Sequence, residues 1–144
     1  ECCKFALKDP FEIVWDSGAS MCISNNANDF IRNIKPLNDL QVDGISSQLQ
    51  LEGIGKVSWT LFGVSGNPQN IVLPAYYAPK AQQRLLSTTT FCDQYPNNLI
   101  TVSPNMWTIN PSPKNTDEQA IDVLINRNNN LPMSTCHHGQ GLDN

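Results

Sequence analysis

The sequence predicts an all-β fold, a barrel or a sandwich, and three observations carry that expectation. Short runs rich in Val, Ile, Leu, Trp and Phe recur along the chain, separated by Gly, Pro and Asn. Apolar residues show little sustained 3.6-residue spacing, so helices are few. Charged residues make up only 15% of the 144, and Asn, Gln, Ser and Thr supply the missing polarity. The first and last of these favour turns and strands over helices. A chain of this length forms one domain and buries roughly 68–70% of its unfolded surface, enough for a core without disulfides.

The elements follow in order. Phe11 to Trp15 is an apolar strand. Leu40 and Val42 on one side and the alternating Gln48 to Leu51 on the other flank Asp43-Gly44-Ile45-Ser46-Ser47, which reads as a hairpin tip. Lys56 to Phe62, the turn residues Gly63 to Pro68 and then Ile71 to Leu73 read as a second hairpin. Ala75 to Ala78 is a short strand stopped by Pro79. Leu85 and Leu86 lead into Ser87, whose hydroxyl is placed to cap a helix over Thr88 to Gln94. Leu99 to Val102, Met106 to Ile109 and Ile121 to Ile125 read as later strands, the last two separated by the Pro-rich Asn110 to Lys114. The expected organisation is an N-terminal linker over residues 1–10, a folded domain over 11–125 and a partly disordered tail over 126–144, where Asn128 to Asn130 run in series without apolar periodicity.

Nine Lys plus Arg against thirteen Asp plus Glu give a formal charge of −4, with no basic cluster. That balance argues against direct nucleic-acid binding. No apolar run approaches the roughly 18 residues that span a bilayer, so no membrane partner is expected. Five cysteines, Cys2, Cys3, Cys22, Cys92 and Cys136, form an odd set without a C-x-x-C pair, which suits a reducing compartment better than a disulfide framework. The start on Glu1 is expected of a segment cut from a longer polypeptide.

One stretch carries chemistry. Asp16-Ser17-Gly18-Ala19-Ser20 directly follows the apolar Glu12-Ile13-Val14-Trp15, so a carboxylate stands where a buried strand gives way to a turn. Burying such a group is costly unless donors converge on it, and the Gly18 amide and Ser17 hydroxyl are at hand. The bland reading is a turn aspartate serving local backbone bonds. Further landmarks follow in order: Glu52-Gly53-Ile54-Gly55-Lys56-Val57, then Tyr77-Ala78-Pro79, then Arg84-Leu85-Leu86-Ser87. In these motifs the chain resembles the retropepsin-like aspartic protease domain of Ty1/copia-type retrotransposon Pol polyproteins, from Phe11 to Phe91 and more loosely to Pro132.

The resemblance implies a closed β-barrel and an endopeptidase that processes a Gag-Pol polyprotein, in the cytoplasm or within virus-like particles, without a cofactor. Asp16 is then the catalytic acid/base, with Ser17, Gly18 and Ala19 supporting its loop. Leu85 and Leu86 pack behind the site, and Ser87 stands where most retropepsins carry Gly, a substitution found in the copia branch. This chemistry needs two carboxylates about 3 Å apart sharing a proton. The chain has a single D-[ST]-G, so a homodimer must bring two copies of Asp16 together. The flap that covers a bound peptide is assigned to Asp43, Gly44, Ile45 and Ser46, with Gly53 and Gly55 placed on the strand that follows.

Other features have plainer readings. Cys136-His137-His138 lacks a second Cys/His pair, so a linker is expected there and not a metal site. Trp15, Trp59 and Trp107, with Tyr76 and Tyr77, have no interleaved basic residues and are expected in the core or a dimer contact, not in base stacking. Cys22 is expected to be a small buried side chain near the catalytic loop. The competing function is a non-catalytic β module of a decayed or structural Pol segment.

Overall fold

The structure, a computed structural model, describes residues 10–42, 49–62, 68–96, 98–110 and 120–138. It is mostly β-sheet with one short helix. The strands are β1 (Phe11–Asp16), β2 (Cys22–Ser24), β3 (Lys35–Val42), β4 (Leu49–Phe62), β5 (Pro68–Tyr77), β6 (Arg84–Ser87), β7 (Leu99–Val102), β8 (Met106–Asn110), β9 (Ile121–Asn126) and β10 (Leu131–His138). The helix, α1, runs Thr88–Gln94 with Ser87 as its cap, as the sequence predicts. A short 3₁₀ turn occupies Ala27–Asp29.

All ten strands belong to one sheet, in the order β3-β4-β5-β2-β6-β1-β10-β9-β8-β7. β10 also pairs with β4, through His137 opposite Thr60 and His138 opposite Trp59. This second pairing closes a ring through β4, β5, β2, β6, β1 and β10. β3 lies outside the ring at one end of the sheet, and the β7–β8–β9 meander at the other. Most neighbours are antiparallel, but β1 runs parallel to β6 and β2 parallel to β5.

Burial explains the strand choices. Ile13, Val14 and Trp15 of β1 are all buried, the signature of a strand covered on both faces. Ile13 and Trp15 join Trp59, Leu61, Leu73, Leu86, Phe91, Ile109, Val123 and Cys136 in the main core. Trp15 meets Phe91 of α1 edge-on at 5.4 Å between ring centroids, which seats the helix on the sheet. Trp15 and Trp59 are therefore core residues, while Trp107 is only partly buried.

The arms of both hairpins of the sequence reading pair, and the second hairpin is longer than expected. β4 is one strand of 14 residues, and it pairs with β5 from Gly53 opposite Tyr77 to Phe62 opposite Pro68. Gly53 and Gly55 sit inside it because another segment crosses closely: a Cβ at Gly53 would overlap the Ile34 side chain, and one at Gly55 would stand 3.0 Å from the Phe30 ring. The arms of the proposed flap also pair, Leu40 with Leu51, Gln41 with Gln50 and Val42 with Leu49. Asp43, Gly44, Ile45 and Ser46 lie outside the described residues.

One expectation is overturned. Residues 126–144 are not simply a tail, because Leu131–His138 forms β10, between β1 and β9 and bonded to both. Asn126 to Leu131 turn the chain back, with Asn130 in the left-handed region at φ 60°. Asn tolerates that conformation better than most residues. No apolar pattern marks this strand, because its buried positions, Pro132 and Cys136, are weak apolar signals, and its Ser134 is used for a hydrogen bond.

Candidate active site

Asp16 is the last residue of β1, and the parallel register places it opposite Ser87, the last residue of β6. Its carboxylate is half-buried, while Ser17, Gly18 and Ser20 of the following turn are exposed. The Gly18 amide donates to Asp16 Oδ1 at 2.8 Å. A Cβ at Gly18 would stand 3.4 Å from that oxygen, an ordinary contact, so the turn brings the amide in and the missing side chain is not what permits it. Among the described residues, the other carboxylate oxygen takes no hydrogen bond.

The loop is fastened from behind by α1 and β6. Ser87 Oγ donates to Ala19 O at 2.7 Å and accepts from the Thr90 amide at 3.1 Å, so one hydroxyl caps the helix and holds the loop. Thr90 Oγ1 donates to Ser20 O at 3.2 Å. The Ser87 amide donates to Cys22 Sγ at 3.3 Å. Burial pushes the Cys22 thiol up to about 11, only partly offset by that bond, so it stays protonated and inert. Leu86 is fully buried beside Trp15 in the main core, and Leu85 packs with Ile23 in a smaller cluster. The sequence reading located Asp16, Gly18, Leu85, Leu86 and Ser87 but missed Thr90, whose position three residues after an N-cap Ser was the available signal.

The bracing predicts a modest cost for Ser87→Ala. The helix loses its cap and the Ala19 carbonyl loses its donor, a loss of about 1–2 kcal/mol. Urea unfolding of the variant measures it, and a change below a few tenths of a kcal/mol would mean that the hydroxyl does not hold the loop.

A second polar centre lies in the core, and no local pattern in the sequence marks it. Asp29 is 1% exposed. Its Oδ2 accepts from Ser24 Oγ at 2.6 Å, Trp59 Nε1 at 3.0 Å and Arg84 Nε at 2.7 Å. Its Oδ1 accepts from Arg84 Nη2 at 3.2 Å and lies 2.9 Å from His138 Nε2. Because an ionised carboxylate only accepts, His138 carries its proton on Nε2. The Arg84 guanidinium also stacks 3.7 Å above the Phe11 ring. Burial alone would raise the Asp29 carboxyl, but the bonds from Arg84, Ser24 and Trp59 and the charge of Arg84 outweigh it and hold it below its ordinary value. With both oxygens saturated and no solvent access, this aspartate joins strands and does no chemistry.

Among the described residues, no group of three His, Cys, Asp or Glu side chains is arranged to hold a metal ion. Cys136 is buried in the core, and His137 and His138 pack against Phe62 and Phe11. Among the described residues, no helix is long and apolar enough to cross a membrane. An open groove of about 530 Å³ adjoins the Asp16 loop, bounded by Ser17, Thr88 and Thr89 on one side and Ile100, Val102 and Trp107 on the other. Comparison with protein-family models, curated proteins and solved structures finds no match for this chain.

Proposed function

We propose that this chain is one half of a homodimeric aspartic endopeptidase of the retropepsin type, cutting the Gag-Pol polyprotein of a copia-type retrotransposon in the cytoplasm or in virus-like particles. The observation that carries the reading is Asp16 itself. It is a half-buried carboxylate at the end of a buried strand, bonded to the Gly18 amide and presented by a loop that Ser87 and Thr90 fasten from behind. On this reading the strand ring is the closed barrel of that family, and the segment over Asp43, Gly44, Ile45 and Ser46 is the flap.

The chemistry follows from pairing two such loops. Asp16 in its ionised form takes a proton from a water molecule, whose oxygen attacks the scissile carbonyl carbon. The partner's Asp16, protonated, donates to the carbonyl oxygen. Collapse of the resulting gem-diol returns one hydroxyl proton to the partner's Asp16 and breaks the C–N bond, while Asp16 passes the proton it took from water to the departing nitrogen, which restores the starting pair. No cofactor is required, and no nucleic acid takes part.

Asp16→Asn tests the proposal. In mildly acidic buffer, wild-type protein is expected to cleave a peptide pool, and the variant, whose homodimer carries Asn in place of both catalytic carboxylates, to lose cleavage by at least about 10³-fold, with an unchanged melting temperature. Equal cleavage by both proteins would remove Asp16 from the reaction. A folded but inert wild type would favour the non-catalytic module.

A further inference from the structure

We propose that Thr90 is a positioning residue for the Asp16 reaction: its hydroxyl, through the Ser20 carbonyl, holds the loop where the carboxylate can share a proton with the partner's copy. The inference rests on the aspartic endopeptidase reading above and adds to it a residue that acts through the loop.

The loop has few anchors. Asp16 ends β1 and Cys22 begins β2, so residues 17–21 lie outside both ladders. The Gly18 amide bonds to Asp16 Oδ1 at 2.8 Å and the Ala19 amide to Asp16 O at 3.4 Å. Both bonds begin and end inside the turn, so they shape it without fixing where it lies. Among the described residues, two bonds reach Ser17 to Ser20 from elsewhere in the chain: Ser87 Oγ to Ala19 O at 2.7 Å and Thr90 Oγ1 to Ser20 O at 3.2 Å.

What stands behind the Thr90 hydroxyl is rigid. Thr90 is 6% exposed, and its amide is held by Ser87 Oγ at 3.1 Å. Its neighbour Phe91 is buried and meets the Trp15 ring edge-on, and Trp15 directly precedes Asp16. Adjacent residues of α1 therefore grip both ends of the loop, Phe91 by packing at its head and Thr90 by a hydrogen bond at its tail. The helix fixes the distance between the two, and the carboxylate rides on the segment held between them.

The two hydroxyls are not equivalent. Ser87 Oγ serves the helix cap and the loop together, so its loss mixes helix stability with loop position. Thr90 Oγ1 bonds to the loop, while the part of Thr90 that completes the cap is its amide, which any side chain leaves in place. Val keeps the shape and the β-branch and removes the hydroxyl alone. Two carboxylates that share a proton tolerate little displacement, and a shift of about 1 Å at a reacting group costs up to about 10²-fold in rate. In a homodimer the bond acts twice, once under each carboxylate.

The test compares wild type, Thr90→Val and Thr90→Ser by steady-state cleavage of one peptide that wild type cuts, at a temperature well below the melts. Sedimentation equilibrium and thermal melts are run on the same samples. The expected result for Thr90→Val is a kcat lower by about 10- to 100-fold with KM within about twofold and an unchanged dimer. Thr90→Ser, which keeps the hydroxyl, is expected to stay within a few-fold of the wild-type kcat. A merely structural hydroxyl would lower the melting temperature of Thr90→Val and leave the kcat of its dimer unchanged, which overturns the proposal. A loss of kcat that Thr90→Ser shares in full overturns it too, as does a loss accounted for by dissociation. Cleavage by wild type separates the two readings. A wild type that cuts no better than Thr90→Val keeps the protease and removes the role of Thr90, whereas a folded wild type that cuts nothing removes both.

Discussion

Deletion of residues 127–144 is expected to leave a chain that no longer unfolds cooperatively. β10 bridges β1 and β9, so without it the β7–β8–β9 meander has no strand joining it to the rest of the sheet. The ring opens as well, because β10 also supplies the pairing to β4. Ile13 and Val14 lose their partners Ser134 and Met133, and the buried Trp15 indole loses Ser134 Oγ, its acceptor at 2.8 Å. An orphaned buried donor costs about 1–3 kcal/mol by itself. Adding the lost burial of Pro132 and Cys136 and the ladders on three strands exceeds the roughly 5–15 kcal/mol that a domain of this size holds in reserve. Far-UV circular dichroism with a thermal melt is the check. A truncated chain that melts as sharply as the full one would return residues 126–144 to the status of a tail.

Asp29→Asn is expected to destabilise the fold by about 3 kcal/mol, the lower end of the cost of breaking a buried ion pair by removing one partner. The loss arises because Arg84, its side chain 12% exposed, keeps its charge after its counter-ion is gone. The same pair sets an acid dependence. Burial is the largest single influence on the Asp29 carboxyl and raises it, but the donors and the charge of Arg84 prevail, so the folded value lies below the ordinary 3.8. A depressed carboxyl contributes stability that is complete above the unfolded value and is lost as the pH falls through the folded one. The advantage of wild type over Asp29→Asn should therefore hold from neutral pH down to about 4 and shrink as the pH falls further, because a protonated Asp29 resembles Asn. Urea midpoints of both proteins across that window measure it, and a gap that stays constant to the lowest pH would show that the pair is not the source.

Local signals made part of this molecule legible. β1 is a continuous apolar run, which predicts a strand covered on both faces without reference to the rest of the chain. Ser87 announces α1 because a helix cap is a bond between neighbours, here to the Thr90 amide. Asp16 and Gly18 are two residues apart, so their turn was readable from composition, and so was the Leu85-Leu86-Ser87 strand end that faces it.

Closure of the ring, the Asp29 centre and the neighbourhood of the Asp16 loop were settled only in three dimensions. Asp29 draws its donors from Trp59, Arg84 and His138, which lie 30, 55 and 109 residues away, and no local pattern marks an aspartate that will meet them. β10 carries only Leu131 and Met133 as plainly apolar residues among Pro, Ser, Thr, Cys and His, and its buried positions, Pro132 and Cys136, are covered by what the rest of the chain brings alongside. The groove beside Ser17 is bounded by Thr88, Thr89 and Cys92 of α1 and by Ile100, Val102 and Trp107 of the meander, so Trp107 borders the same groove as a loop some 90 residues earlier. The sequence by itself determined the β class, the capped helix and the aspartate turn, since each depends on residues within a few positions of one another. Tertiary structure decided which polar side chains are buried and which edge stays open, because desolvation and strand pairing depend on whatever the rest of the chain brings alongside.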